Sequence, residues 1–197
     1  MNKKLKKNLI EFGLIGAVFL GLFITGLHTE VLGFLQRGIL ATGIMDPDIK
    51  DKAEMASLTP AESADLNISL ENSKGEKVNM EDFRGKVIFL NFWATWCPPC
   101  IAEMPGIHKL YGEMNEKNVE FVMLSLDNDF EKAKNFRDKK GYTFEIYKLT
   151  GPLPAAYSTN SIPTTYVIDA NGNLALTHLG MGDFNTKEFK KFLRDLQ

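Results

Sequence analysis

The chain has two cysteines in 197 residues, and both lie in the stretch Trp96-Cys97-Pro98-Pro99-Cys100. Two thiols separated by two residues can close into a small disulfide ring. Such a pair serves as half of a metal site, as a loop staple, or as a carrier of electrons between disulfides. A metal site needs more ligands. No second cysteine pair exists, and His28, His108 and His178 show no ligand spacing, so no metal and no cofactor is expected. A staple around two residues restrains little of the unfolded chain. Electron transfer needs an attacking thiol held as thiolate and a resolving thiol within reach.

The surroundings favour electron transfer. Residues 87–93, VIFLNFW, form a continuous apolar run, which predicts a strand buried on both faces. Residues 98–116 then show helical spacing through Ile101, Met104, Ile107, Leu110, Tyr111 and Met114. Cys97 thus falls at a strand-to-helix junction. Free N–H groups and partial positive charge at a helix start favour a thiolate there. Cys100 follows one turn later. Pro98 and Pro99 pre-set helical φ where a missing N–H is tolerated. They also withdraw two N–H donors from the Cys97 sulfur. The expected Cys97 pKa is therefore lowered, but less than where those donors exist.

The rest of the chain must position this pair. NISL and EKVNM flank the turn NSKG and predict a hairpin. VEFVMLSLD, 119–127, predicts a second buried strand, and FEKAKNFRDKKG, 130–141, an amphipathic helix ended by Gly141. YTFEIYKL predicts a third strand. TTYVID and LALTHLGM flank the turn ANGN. NTKEFKKFLRDL predicts a last helix, with Asn185 as its cap. Strands alternating with helices mean an α/β domain, a mixed sheet with helices on both faces.

The N-terminus has another character. MNKKLKK precedes LIEFGLIGAVFLGLFITGLHT, a stretch of the length that crosses a bilayer, about 20 residues. The lysines predict a cytoplasmic N-terminus and place everything after residue 30 on the far side. A cleaved signal peptide, with Val31-Leu32-Gly33 the nearest weak cleavage match, and a buried core helix are the competing readings. In 31–45, Val31, Leu32, Leu35, Ile39 and Leu40 recur at helical spacing, which suits an amphipathic segment on the membrane surface. A second span or a continuation of the first helix are the alternatives. Residues 46–65 are polar, contain Pro47 and Pro60, and read as a linker. The expected organisation is an anchor over 1–30, a juxtamembrane segment over 31–45, a linker over 46–65 and a folded domain over 66–197. The formal net charge of −2 divides into +3 over residues 1–45 and −5 over the rest. A mildly acidic body without a basic stripe argues against nucleic-acid binding.

NFWATWCPPCIAEMP, with DFRGK before the first core strand and SIPTTYVID later, resembles the membrane-tethered thioredoxin-fold proteins of the TlpA/ResA type. The resemblance spans roughly residues 60–197. It implies a thioredoxin-like fold and a protein thiol–disulfide oxidoreductase, in which Cys97 attacks and Cys100 resolves. It implies that the Ile162-Pro163 bond is cis and lies beside the cysteines, leaving the Ile162 backbone to pair with substrate. It implies that Glu103 lies near the cysteines and can shuttle a proton, against a plain reading as a helix-surface glutamate. Asn91 stands where thioredoxin has a buried acid. Trp96 is expected to shield the disulfide and offer partners a flat apolar contact, while Phe92 and Trp93 are expected in the core. The implied partners are protein disulfides, including the cysteine pair of apocytochrome c, and a transmembrane electron donor of the DsbD/CcdA type. The implied location is the extracytoplasmic side of the cytoplasmic membrane. A disulfide oxidase or isomerase, a peroxiredoxin-like peroxide reductase and a non-enzymatic tethered binding module are the rivals. The peroxidase reading is weakened by Ala94, where that chemistry wants a threonine or serine three residues before the attacking cysteine.

Overall fold

A computed structural model describes residues 3–25, 27–40, 47, 63–114, 118–157 and 160–197. The expected linker lies outside the described residues except for Pro47 and residues 63–65, as do residues 41–45 of the juxtamembrane segment. Residues 63–65 belong to the domain and not to a linker. Ser63 pairs with Asn173, the Ala64 N–H donates to the Gly172 carbonyl at 2.9 Å, and Ala64 is buried.

Two helices come first, α1 (Lys3–Ile24) and α2 (Leu27–Leu40). The domain follows as β1 (Ser69–Asn72), β2 (Lys77–Asn79), a 3-10 turn (Met80–Phe83), β3 (Val87–Trp93), α3 (Pro98–Met114), β4 (Val119–Ser125), α4 (Phe130–Lys140), β5 (Ile146–Leu149), a second 3-10 turn (Ala155–Tyr157), β6 (Thr164–Ile168), β7 (Leu174–Leu179) and α5 (Lys187–Asp195). The seven strands form one sheet in the order β2-β1-β5-β4-β3-β6-β7. β3, β4 and β5 run parallel, and the remaining pairings are antiparallel.

Every side chain of β3 is buried. Val87, Phe89 and Trp93 feed one core cluster, and Ile88, Leu90 and Phe92 feed the other, as the two-residue period of a strand requires. Each large apolar side chain so buried contributes about 1.5–3 kcal/mol. The steps from β3 through α3 to β4 and from β4 through α4 to β5 go the same way across the sheet. Right-handed crossovers in one direction lay both helices on one face. Accordingly α3, α4 and α5 all contribute to the cluster that holds Phe89 and Trp93. The opposite face is closed by Leu66, Ile68, Leu70, Met80, Leu153 and Tyr157. Among the described residues the expected cover of helices on both faces is thus α-helical on one face only. The second face carries coil and the two 3-10 turns, because the connection from β5 to β6 crosses there without forming an α-helix.

Two local expectations are corrected. The cap of α5 is Thr186, whose hydroxyl accepts from the Phe189 N–H at 3.1 Å. Asn185 sits one residue too early, and its own N–H donates to Asp183 Oδ1 at 2.9 Å. The stretch Tyr142–Leu149 is a strand only from Ile146. Before that, Tyr142 stacks on Phe144 at 5.2 Å and the Thr143 N–H donates to His108 Nε2 at 3.3 Å, so these residues pack against α3 instead of joining the ladder.

The helix expected to run unbroken through residues 9–29 ends at Ile24, and α2 leaves at a bend of 97°. Among the described residues no single helix is long and apolar enough to cross a membrane. The bent pair Ile10–Ile24 and Leu27–Gly38 meets the length and composition needed only together. α2 packs against α3.

Candidate active site

Cys97 occupies the residue before α3, and Cys100 closes the first turn. Their sulfurs form a disulfide with S–S 2.10 Å and Cα–Cα 5.3 Å. The Cys100 N–H donates to Cys97 Sγ at 3.3 Å. Pro98 and Pro99 bring no N–H, so the helix start gives that sulfur fewer donors than an ordinary first turn would. Cys97 is 4% exposed and Cys100 fully buried.

The loop between β3 and α3 is clamped from β4. Asp127 Oδ2 accepts from the Thr95 N–H at 3.0 Å and from Ser125 Oγ at 2.9 Å, and Asp127 Oδ1 accepts from Thr95 Oγ1 at 2.6 Å. The Leu126 N–H donates to the Trp93 carbonyl at 2.8 Å. The parallel register, Trp93 opposite Ser125, brings Asp127 to the loop. No motif in the sequence points to this clamp, since the two segments lie 32 residues apart.

The Ile162-Pro163 bond is cis. It places the Ile162 carbonyl oxygen 3.7 Å from Cys97 Sγ. In the disulfide that sulfur carries no hydrogen, so this is a packing contact. The ladder of β6 begins at Thr164, leaving Ile162 outside it. Pro163 is buried and its carbonyl accepts from the Gly180 N–H at 2.9 Å. Trp96 is 58% exposed, an open apolar surface at the edge of the site, whereas Trp93 and Phe92 lie in the core.

Glu103 lies one turn beyond Cys100 on α3 and is 1% exposed. Glu103 Oε1 accepts from Asn91 Nδ2 at 2.9 Å, and Oε2 from the Gly182 N–H at 3.1 Å. Burial pushes its pKa from 4.5 up to about 8, while the bonds from Asn91 and Gly182 pull it back in part. Asn91 Nδ2 also donates to Thr165 Oγ1 at 2.9 Å, because β3 and β6 pair Asn91 with Thr165. Asn91 Oδ1 is buried with no hydrogen-bond partner among the described residues. One buried amide therefore joins the redox helix to the strand that follows the cis proline. The sequence shows an asparagine in place of an acid at position 91, but nothing that pairs it with Glu103. The arrangement holds a disulfide at a helix start, a backbone edge beside it and a neutral buried acid one turn further along the helix. That set suits thiol–disulfide exchange with an extended partner segment.

Comparison with known proteins agrees. The AhpC/TSA family matches residues 61–177. Thiol-disulfide oxidoreductase ResA of Halalkalibacterium halodurans is 35% identical over 140 residues, which covers 70% of this chain and 80% of that protein. The thioredoxin-like protein YneN of Bacillus subtilis is 37% identical over 116 residues, or 58% of this chain and 68% of that one. A crystal structure assigned as a thiol:disulfide interchange protein DsbE of Chlorobium tepidum superposes with a TM-score of 0.57 at 28% identity, covering 71% of this chain and 96% of that one.

Proposed function

The chain belongs to the AhpC/TSA family and is a thiol–disulfide oxidoreductase with a thioredoxin-like fold, and from that premise we propose that it reduces protein disulfides outside the cytoplasm, held to the membrane by its N-terminal helices. The observation that carries the reading is the Cys97–Cys100 disulfide at the start of α3, against the Ile162 carbonyl of the cis-proline loop.

In the reduced protein the Cys97 thiolate attacks one sulfur of a partner disulfide. A mixed disulfide forms, and the partner's other sulfur leaves as a thiolate that takes up a proton. Cys100, having lost its proton, attacks Cys97 Sγ and displaces the second partner sulfur. Two electrons pass to the partner, and the protein is left as the Cys97–Cys100 disulfide. Glu103, one turn from Cys100, takes up as a carboxylate the proton that Cys100 loses, holds it in the oxidised protein, where burial keeps the acid neutral near pH 7, and returns it when the disulfide is reduced again. Trp96 and Ile162 offer the partner an apolar face and a backbone edge. The resemblance to ResA-type relatives supports an apocytochrome c cysteine pair among the substrates. A transmembrane donor of the DsbD/CcdA type supplies the returning electrons. The lysine-rich start and the exposed apolar side chains of α1 support the anchor.

The test is the reduction potential of the Cys97–Cys100 pair in the full chain in detergent, together with trapping by Cys100→Ser. A potential near the roughly −270 mV of thioredoxin, with a mixed disulfide through Cys97, is expected of a reductase. A potential near the roughly −120 mV of DsbA would make the protein a disulfide donor. Absence of any mixed disulfide would favour a binding module.

A further inference from the structure

The polarity of α2 is inverted with respect to the domain it touches. Glu30, Gly33, Arg37 and Leu40 recur at the i, i+3, i+4 spacing that marks one side of a helix, and this side faces the domain, Glu30 toward α4 and the other three toward α3. Gly33 lies directly against α3. A Cβ there would lie 3.1 Å from Ile101 Cγ2 and 3.2 Å from the Pro98 carbonyl oxygen. Glu30 Oε2 meets Lys140 Nζ of α4 at 2.5 Å, with both side chains about three-quarters buried. Arg37 lines a pocket of about 200 Å³ with Ala102 and Glu103. Both charges of α2 are thus turned inward, toward the redox helix and α4.

The opposite side carries Leu27, Val31, Phe34 and Leu35, each 43–68% exposed, with no charge among them. A helix that sends its charges inward and its large apolar side chains outward is built for a surface that is not water. α1 presents exposed apolar side chains as well, and the two helices meet at 97°. With α1 dipping into the bilayer along its normal, α2 lies in the plane of the membrane, and the two helices together make the membrane contact that neither is long and apolar enough to make alone. The charge-free side of α2 then meets acyl chains, and its polar side meets the domain.

From this geometry we propose that α2 is a bracket: it seats the lipid surface on one side and the cysteine-bearing helix α3 on the other. The inference rests on the anchoring reading above and deepens it, because a domain on a free tether has no fixed orientation. The bracket sets one. Thr25 and Leu27, at the break between α1 and α2, line one hollow with Thr95 and Ile101. The loop carrying Trp96 and Cys97 is therefore held beside the point where the chain enters the membrane. The disulfides it reaches are those presented close to the bilayer.

The experiment uses the full chain in vesicles of phosphatidylethanolamine and phosphatidylglycerol. A carbodiimide joins Glu30 to Lys140 only while they touch, and mass spectrometry reads the crosslinked peptide. In Phe34→Trp, emission above that of Trp93 and Trp96 is tested for quenching by lipids brominated high on their acyl chains, the depth at which an interfacial helix sits. The expected result is the crosslink together with a loss of the added emission. Gly33→Leu should lose the crosslink and keep the quenching when combined with Phe34→Trp, because the Pro98 backbone cannot yield. Quenching without a crosslink in the otherwise unaltered chain would overturn the bracket while leaving the anchor in place. A crosslink without quenching, in chains that float with vesicles, would mean that a second copy or an integral membrane protein covers this side, and lipid as the occupant would fall. Chains that do not float at all would end the anchoring reading, and the bracket with it.

Discussion

Replacing Glu103 by glutamine removes the one buried carboxyl of the site while keeping its shape. In the native state burial holds the Glu103 pKa at about 8, against 4.5 for the ordinary group. Between those two values the folded protein keeps a proton that the unfolded chain has released. Stability therefore falls as pH rises through that window. At ~1.36 kcal/mol per unit of pKa, the loss reaches on the order of 5 kcal/mol above pH 8. With a urea dependence of roughly 1–3 kcal/mol per molar, the unfolding midpoint should drop by about 2 M between pH 5 and pH 8.5. Glu103→Gln carries no proton to lose. Its amide can accept from the Gly182 N–H and donate to Asn91 Oδ1, which has no partner among the described residues, once the Asn91 amide turns over. The assay is urea unfolding of the oxidised full chain in detergent, for both proteins, at half-unit steps of pH. Other carboxyls titrate in both proteins, so the difference between the two curves isolates Glu103. Parallel curves across pH 5–8.5 would refute the claim that Glu103 is a buried neutral acid in the folded protein.

The other expectations concern the neighbours of that acid and of the attacking cysteine. Asn91→Ala removes a bond that favours the charged form of Glu103, so the pH transition seen in the unfolding curves should move upward, and an unmoved transition would show that the bond is not made in solution. Pro98→His restores an N–H at the first turn of α3, and a thiolate absorbance titration of the reduced protein should find the Cys97 pKa lower; no downward change would mean that the missing donors do not tune this sulfur. Asp127→Ala frees the Thr95 N–H and hydroxyl, and should cost about 2–3 kcal/mol in unfolding free energy, the worth of hydrogen bonds to a charged group. A cost below about 0.5 kcal/mol, the range of ordinary surface changes, would show that the loop does not depend on the clamp.

Much of this protein is readable along the chain. Val87–Trp93 declares a doubly buried strand by its unbroken apolar run, and Pro98–Met114 a helix by its spacing, so the order of residues alone reveals the junction that carries Cys97 and Cys100. Gly141 announces the end of α4, and there it adopts the left-handed conformation with φ of 68°. These features are local: strand and helix periods depend on residues within a few positions of one another. Caps are legible only to within a residue: the expected Asn185 gives way to its neighbour Thr186, because the backbone decides which hydrogen-bonding group meets the free N–H.

Tertiary structure alone decided what surrounds the cysteines. Asn91 and Thr165 become neighbours through the register of β3 on β6, 74 residues apart, and Glu103 reaches the Gly182 N–H across 79 residues. Periodicity placed Glu103 on α3, but whether that side faces water or core depends on what the sheet and the turn after β7 lay against it. The same holds for α2. Its sequence shows two faces, one with charges and one without, and periodicity is indifferent to which of them turns toward the domain. The structure turns the charged face inward, because Gly33 leaves room for α3 and Lys140 waits opposite Glu30. Local sequence sets the conformation of each element; the depth, register and partner of a side chain belong to the packing of elements far apart in the chain, which no local period encodes.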